Sequence, residues 1–365
     1  MLYFYAFSCA LALSILLTGV MRKIGLKYKI LSRPRKRDVH VRPVPRIGGP
    51  AIFVSFALVL FIFFNYYHLN LVNERIWLSL DWRFWGILIG GLITCGLILI
   101  DDIKGMSPGK KMLIQVFAAL IVISSGVGID HLTNPFGQEI NLNSLYIPFF
   151  SYHGVIYHFS LWSDLLTLIW LVGMMNIMNF VDGVDGLAGG LAVIAALTLF
   201  ALSTLPFINQ SGTAMIAITF AGAVAGFLFW NFPPAKIFMG DSGSMFIGFI
   251  MGVLPLISGG KLATAFLVLG FPIIDGLVVA FSRIFRRENP FNTPDKTHLH
   301  HRFLSAGFST RQAILSMYLI AAAFGWVALR SSTKEKFAAA VVLVILVLLT
   351  LSVLEVIRRK RVSSK

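Results

Sequence analysis

The chain has 365 residues, 57% hydrophobic and 13% charged, with a mean hydropathy of +0.81. That composition excludes an ordinary soluble domain, and apolar runs spread from end to end leave no soluble segment large enough for a core of its own. The formal charge of +15 does not indicate a nucleic-acid binder, because the basic residues collect in short segments between apolar runs, as cytoplasmic loops do under the positive-inside rule.

The sequence therefore reads as an all-α, polytopic integral membrane protein, a single domain over 1–365. Apolar segments that approach the roughly 20 residues of a membrane-crossing helix fall at 2–21, 47–66, 84–100, 112–128, 161–178, 187–205, 213–230, 243–258, 262–282, 312–329 and 337–357, eleven in all. Positive charge follows the first segment instead of preceding it, so it reads as a retained helix with its N-terminus outside. Eleven crossings then put the N-terminus in the periplasm and the C-terminus in the cytoplasm. Of the 31 Lys and Arg residues, only Arg75, Arg83, Lys261, Arg330, Lys334 and Lys336 fall on the outer side. Cys9 and Cys95 sit inside apolar runs and offer neither a disulfide framework nor a CxxC metal site.

Between these segments lie the polar stretches that carry chemistry. RPRKRDVHVRPVPRIGG, 33–49, is dense in charge that suits topology and anionic lipid, with Pro45 and Gly48–Gly49 shaping a turn. Asp101 and Asp102 follow the third apolar segment; alone, such a pair is most often a solvated helix end. Lys111 follows the turn at Ser107–Pro108 and can meet a phosphate as a point charge. In NIMNFVDGVDGL, Asn176, Asn179, Asp182 and Asp185 recur every three residues and share one face if the segment is helical. A polar seam between helices is the plainer reading, which two acids disfavour. FMGDSGS places Asp241 at the start of a helix, where backbone N–H groups can bind phosphate and the carboxylate a Mg²⁺ ion. Phe238 can stack on a base or anchor at the interface. In DKTHLHHR, His298, His300 and His301 stand beside Asp295, Lys296 and Arg302, and this company favours an anion over zinc.

With the orientation above, Asp101, Asp102, Asp182, Asp185, Asp241 and Asp295 all fall on the cytoplasmic side. An Asp at the bilayer centre costs roughly 2.5–3.5 kcal/mol even on a lenient scale, so acids in such a chain mark functional sites. A transporter would place them near the midplane, often in two related halves. Here only Asp275 lies deep, and no internal repeat is visible.

Taken in order, PVPRIGG, the Asp101–Asp102 pair followed by Ser107, Lys111 and Gln115, NFVDGVDGL, FMGDSGS and HLHH resemble the polyprenyl-phosphate N-acetylhexosamine-1-phosphate transferases. This family, glycosyltransferase family 4, includes undecaprenyl-phosphate N-acetylglucosamine-1-phosphate transferase and phospho-N-acetylmuramoyl-pentapeptide transferase. The resemblance spans 33–311. It implies transfer of a sugar 1-phosphate from a UDP-N-acetylhexosamine, N-acetylglucosamine first among them, to undecaprenyl phosphate at the cytoplasmic face of the bacterial inner membrane. UMP is released, and the product starts a lipid-linked cell-envelope polysaccharide such as O-antigen.

By the same resemblance Asp241 ligates Mg²⁺ (or Mn²⁺) together with Asp101 or Asp102, and the other member of that pair acts as base. A two-step path through an aspartyl-phosphate is the competing mechanism. Asn176, Asn179, Asp182 and Asp185 organise the nucleotide, Phe238 the uracil, and Lys111, His300, His301 and Arg302 the phosphates, with His298 counted as catalytic. Gly105 stands where some members have a third acid, and Lys296 where relatives often have Arg, in a loop assigned to sugar choice. The pentapeptide transferase is the alternative within the family, disfavoured by its different His-rich loop. Oligomeric state, a homodimer included, stays open.

Overall fold

Every one of the eleven apolar segments forms a helix, and among the described residues one short helix is added in the polar stretches. A computed structural model describes the chain except for residues 33–42, 70, 72–75, 78–79, 153–154, 207, 260–261, 286–298 and 364–365. In chain order the helices are α1 (Leu2–Lys27), α2 (Gly49–Tyr67), α3 (Trp82–Lys104), α4 (Pro108–Ser124), α5 (Leu161–Val181) and α6 (Leu187–Ser203). They continue with α7 (Ser211–Asn231), α8 (Gly240–Ile257), α9 (Leu262–Phe285), the short α10 (Leu299–Ser305), α11 (Thr310–Arg330) and α12 (Thr333–Ser363). Among the described residues, nine helices are long and apolar enough to cross a membrane. The two others among the eleven, α4 and α6, have 17 residues each. At 1.5 Å per residue each is about 26 Å long, the lower end of spanning length. The chain is an all-α, multi-pass membrane protein.

Two boundaries differ from the sequence expectation in ways that matter. The third helix continues through Asp101 and Asp102 to Lys104, so the pair stands in its last turn and not beyond it. The fifth helix stops at Val181, so Asn176 and Asn179 share a helix while Asp182 caps its end and Asp185 lies in the following turn. Small antiparallel sheets also appear, which hydropathy does not register. Strands β1 (Leu31–Ser32) and β2 (Val44–Pro45) pair after α1, and β3 (Ile76–Trp77) pairs with β4 (Leu80–Asp81) before α3. Between α4 and α5, β5 (His131–Leu132) pairs with β6 (Ile140–Asn141), and β7 (Tyr146–Tyr152) with β8 (Val155–Ser160). The last two are rich in Tyr, Phe, Ile and Val, side chains suited to a pleated surface.

Helix α8 is buried along nearly its whole length, and α7 nearly so. Lipid tails are as apolar as Leu, so helices associate here through close packing and not through exclusion of water. Gly222 and Gly226 of α7 supply that closeness: a Cβ on either would come within 2.4 Å of a carbonyl oxygen of α1, Phe7 or Leu11. On α1 the facing positions are also small, Ala6, Ala10, Ser14 and Thr18, one every four residues. Phe53 and Phe56 of α2 meet Phe220 of α7 and Phe246 of α8 with centroids 5.3–5.9 Å apart, and Phe220 meets Phe246 at 6.2 Å, mostly edge to face.

The alternation of helices sets the site. The start of α2, the end of α3, the start of α4, the end of α5 and the start of α8 meet at one end of the bundle, tied by the contacts described below.

Candidate active site

The first turn of α8 is the organising element. Gly240 has φ of +75°, and a Cβ there would lie 2.4 Å from the Arg46 carbonyl oxygen and 2.5 Å from Asp102 Oδ2. Only glycine accepts both the left-handed backbone and that approach. The approach lets Asp102 take the orphan donors of the helix start: its Oδ1 accepts from the Asp241 N–H at 2.9 Å and its Oδ2 from the Ser242 N–H at 3.0 Å. A carboxylate at a helix N-terminus also complements the macrodipole.

The turn carrying Arg46 is fastened to the same place. The Phe238 N–H donates to the Pro45 carbonyl at 2.7 Å, and the N–H groups of Gly48 and Gly49 donate to the carbonyls of Phe238 and Met239 at 3.0 and 2.8 Å. Arg46 therefore projects between two acids, with one guanidinium nitrogen 3.1 Å from both Asp102 Oδ1 and Asp241 Oδ1. Lys111, in the first turn of α4, bridges Asp101 Oδ2 at 2.5 Å and Asp241 Oδ2 at 2.6 Å. Burial opposes the charge on Arg46, but Asp102, Asp241, Asp101 and Asp182 outweigh it and raise its pKa above the ordinary value.

Asp101, Asp102 and Asp241 each offer an oxygen within 4.8 Å of the others. Three hard oxygen donors at that spacing fit a Mg²⁺ or Mn²⁺ ion, and the absence of thiolate or imidazole from the set disfavours zinc. The Asp102 side chain is fully buried, whereas that of Asp241 is 23% exposed. Asp102 is thus spent on holding α8, and Asp241 faces outward.

The other expected residues arrange around this core. Asp182 lies close enough to Asp241, Asp185, Arg46 and Asp102 to feel their charges; burial lifts its pKa well above the ordinary range, Asp241 and Asp185 add to the lift, and Arg46 opposes it. The Asn179 amide donates to Ser244 Oγ at 2.9 Å, and that of Asn176 to Gln115 Oε1 at 2.8 Å. These two amides join α5 to α8 and α4 one turn beyond Asp241 and Lys111, in the manner of a polar seam. Asp185 accepts from the Ala235 N–H at 2.9 Å, while the Gly186 N–H donates to Asn231 Oδ1 at 2.9 Å. Arg311 from α11 donates to the Pro233 carbonyl through two nitrogens, so the VDGVDG turn and the loop before α8 form one braced unit. Phe238 is partly exposed.

The histidine segment is only partly described. His298, with Asp295 and Lys296, lies outside the described residues, as does the side chain of His300. His301 and Arg302 lie half-buried on α10. That helix is anchored to the bundle by Leu299, whose N–H donates to Asp275 Oδ1 at 3.0 Å. The deep acid that the sequence left apart from the cluster therefore caps the start of α10.

Arg46 is the residue that sequence reasoning missed. Its signal was position: a cation between Pro45 and Gly48–Gly49 is held in a turn, unlike the run of cations before it. Within PVPRIGG it was counted as topology.

Residues 84–259 match the model of glycosyl transferase family 4. Across nearly the whole chain, it is 31% identical over 341 residues to the probable undecaprenyl-phosphate N-acetylglucosaminyl 1-phosphate transferase of Bacillus subtilis (strain 168), covering 90% of this chain and 85% of that protein. The chain belongs to glycosyl transferase family 4. This family-4 transferase is also 32% identical over 325 residues to the decaprenyl-phosphate N-acetylglucosaminephosphotransferase of Mycolicibacterium smegmatis, covering 83% of this chain and 75% of that one. A third relative, the undecaprenyl-phosphate alpha-N-acetylglucosaminyl 1-phosphate transferase of Haemophilus influenzae, is 30% identical over 318 residues, with 83% and 79% covered. All three are named for N-acetylglucosamine transfer, against the pentapeptide-transferase and transporter alternatives.

Proposed function

We propose that this family-4 transferase moves N-acetylglucosamine 1-phosphate from UDP-N-acetylglucosamine to undecaprenyl phosphate at the cytoplasmic face of the bacterial inner membrane. The observation that carries the proposal is the joining of Asp101, Asp102 and Asp241 to Arg46 and Lys111 at one end of the bundle. Two anionic substrates must meet, and such a site offsets their repulsion while a lipid phosphate reaches it from the leaflet. The same end carries Arg22, Lys23, Lys27 and Lys29, and Trp230 there lies between the cations of Arg22 and Lys236 at 5.9 and 5.5 Å. The basic residues support a cytoplasmic placement, and the Trp suits a membrane–water boundary.

An oxygen of the lipid phosphate attacks the β-phosphorus of the nucleotide sugar. The bond from that phosphorus to the bridging oxygen breaks, and UMP leaves with the electron pair. Mg²⁺, when bound, supplies charge neutralisation for the diphosphate and the leaving group. Asp241 and Asp101 are the residues proposed to hold it. Asp102 fixes the first turn of α8 and so aims Asp241. At neutral pH a phosphate monoester is largely ionised, so the attack needs little help from a base. Arg46 and Lys111 meet the phosphates, Asp182, Asp185 and Asn179 organise the nucleotide, Phe238 stacks on uracil, and the His298–Arg302 segment contacts phosphate and sugar. The product starts a lipid-linked envelope polysaccharide, O-antigen being one such polymer.

The test is UMP release by purified protein in detergent with Mg²⁺, undecaprenyl phosphate and a panel of UDP sugars. UDP-N-acetylglucosamine is expected to be the best donor. Preference for another UDP-N-acetylhexosamine would replace the donor, and no UMP from any of them would sink the proposal.

A further inference from the structure

Lys111 occupies an unusual place for a residue that is to bind substrate phosphate. Its Nζ sits between Asp101 Oδ2 and Asp241 Oδ2, at 2.5 and 2.6 Å, and these belong to the two carboxylates best placed to hold a divalent ion. Magnesium approaches carboxylate oxygens to about 2.1 Å. An ion on those same oxygens would lie against the ammonium group, and two cations at such range repel strongly in a partly buried site.

Of Arg46 and Lys111, Lys111 is the one able to leave. Arg46 bridges Asp102 and Asp241 from a turn whose backbone is fastened to the start of α8. Lys111 carries its charge on a flexible four-carbon stem from the first turn of α4, and its side chain is 22% exposed.

We propose that the Lys111 ammonium is a displaceable occupant of the divalent-cation position: metal and Lys111 exclude one another, and metal binding frees Lys111 to engage substrate phosphate. The inference rests on the metal-site reading above and adds an order to it. Without metal, Lys111 keeps the acid cluster compact and offsets part of its charge. With metal, the phosphate-binding cation becomes available, so nucleotide sugar binds productively only after the ion.

Both tests use the full chain in detergent and neither requires turnover. In wild-type protein, acylation of Lys111 by an amine-reactive reagent is read by mass spectrometry against the exposed neighbour Lys110. Mg²⁺ is expected to raise the Lys111 to Lys110 ratio severalfold, and UDP added with Mg²⁺ to lower it again. A ratio unchanged by saturating Mg²⁺ overturns the proposal. Separately, Mn²⁺ binding without nucleotide is followed by electron paramagnetic resonance, and Lys111→Met is expected to bind the ion about tenfold more tightly than wild type, with one like charge removed. Equal or weaker binding by a folded variant overturns the proposal. Failure of UMP release would reject the transferase reading and leave these outcomes intact, whereas Mn²⁺ bound by neither protein would reject the exchange and the metal role together.

Discussion

Replacing Asp102 by Asn separates two adjacent carboxylates that sequence alone treats alike. Asp102 accepts from the N–H groups of Asp241 and Ser242 and pairs with Arg46, and its side chain is fully buried. Asparagine keeps one acceptor oxygen; its NH₂ group must then face a backbone N–H or the guanidinium. A hydrogen bond to a charged group contributes about 1.5–3 kcal/mol, and an unpaired buried donor costs a similar amount. The loss is therefore about 3–6 kcal/mol, towards the lower end because the Arg46 guanidinium is 33% exposed and partly screened. Asp101→Asn removes one of the two carboxylate partners of Lys111, which keeps Asp241, and it frees no helix start, so its loss of stability should be smaller than that of Asp102→Asn. Unfolding followed in detergent, beside UMP release, reads both variants. Loss of activity in both variants, with the larger loss of stability in Asp102→Asn, is the expected pattern. An Asp102→Asn protein as stable as wild type would refute the assignment of Asp102 to the α8 start.

Three further outcomes follow from the same geometry. Gly240→Ala adds a methyl 2.4 Å from the Arg46 carbonyl oxygen, and with the left-handed backbone cost of roughly 1–2 kcal/mol it should lower UMP release at least tenfold; near-normal turnover would contradict the packing. Asp182 has a raised pKa in the folded state, so that state holds the proton longer than the unfolded chain, whose Asp titrates near 4. The Asp182 contribution to metal-free stability is then full below about pH 4 and is lost as pH climbs through the raised value; Asp182→Asn should remove that part of the pH dependence in a thermal-unfolding series. Gly226→Leu should separate α1 from α7, seen as faster proteolysis and earlier unfolding in detergent, since its side chain has no room beside the Leu11 carbonyl.

How far the sequence could be read follows from what each interaction leaves in it. A membrane helix must satisfy its own backbone and present an apolar surface, so each of the eleven runs is visible as hydropathy. Asp101, Lys111 and Asp241 are visible too, as charges at helix ends. The contacts that assemble them are less so. Asp102 differs from Asp101 only by which carboxylate reaches the N–H groups of Asp241 and Ser242, far along the chain, and no local pattern encodes that. Arg46 is hidden among topological cations. The stripe from Asn176 to Asp185 looked continuous because a period of three survives on paper past Val181, where the helix ends and Gly183 and Gly186 begin a turn. The hairpins between α4 and α5 follow from aromatic and β-branched runs that a search for apolar helices passes over. Asp275 looked isolated because its partner, the Leu299 N–H, is a backbone group on a helix of seven residues.

The central claim is that the site of Asp101, Asp102 and Asp241 transfers a sugar together with its phosphate. The most direct measurement follows UDP-N-acetylglucosamine labelled in its β-phosphate, with undecaprenyl phosphate, Mg²⁺ and purified protein. Label passing into the lipid fraction with an equal amount of UMP released, and neither seen with folded Asp241→Asn, is the expected result. Label left in water as UDP while only the sugar enters the lipid, or transfer undiminished in Asp241→Asn, would contradict it.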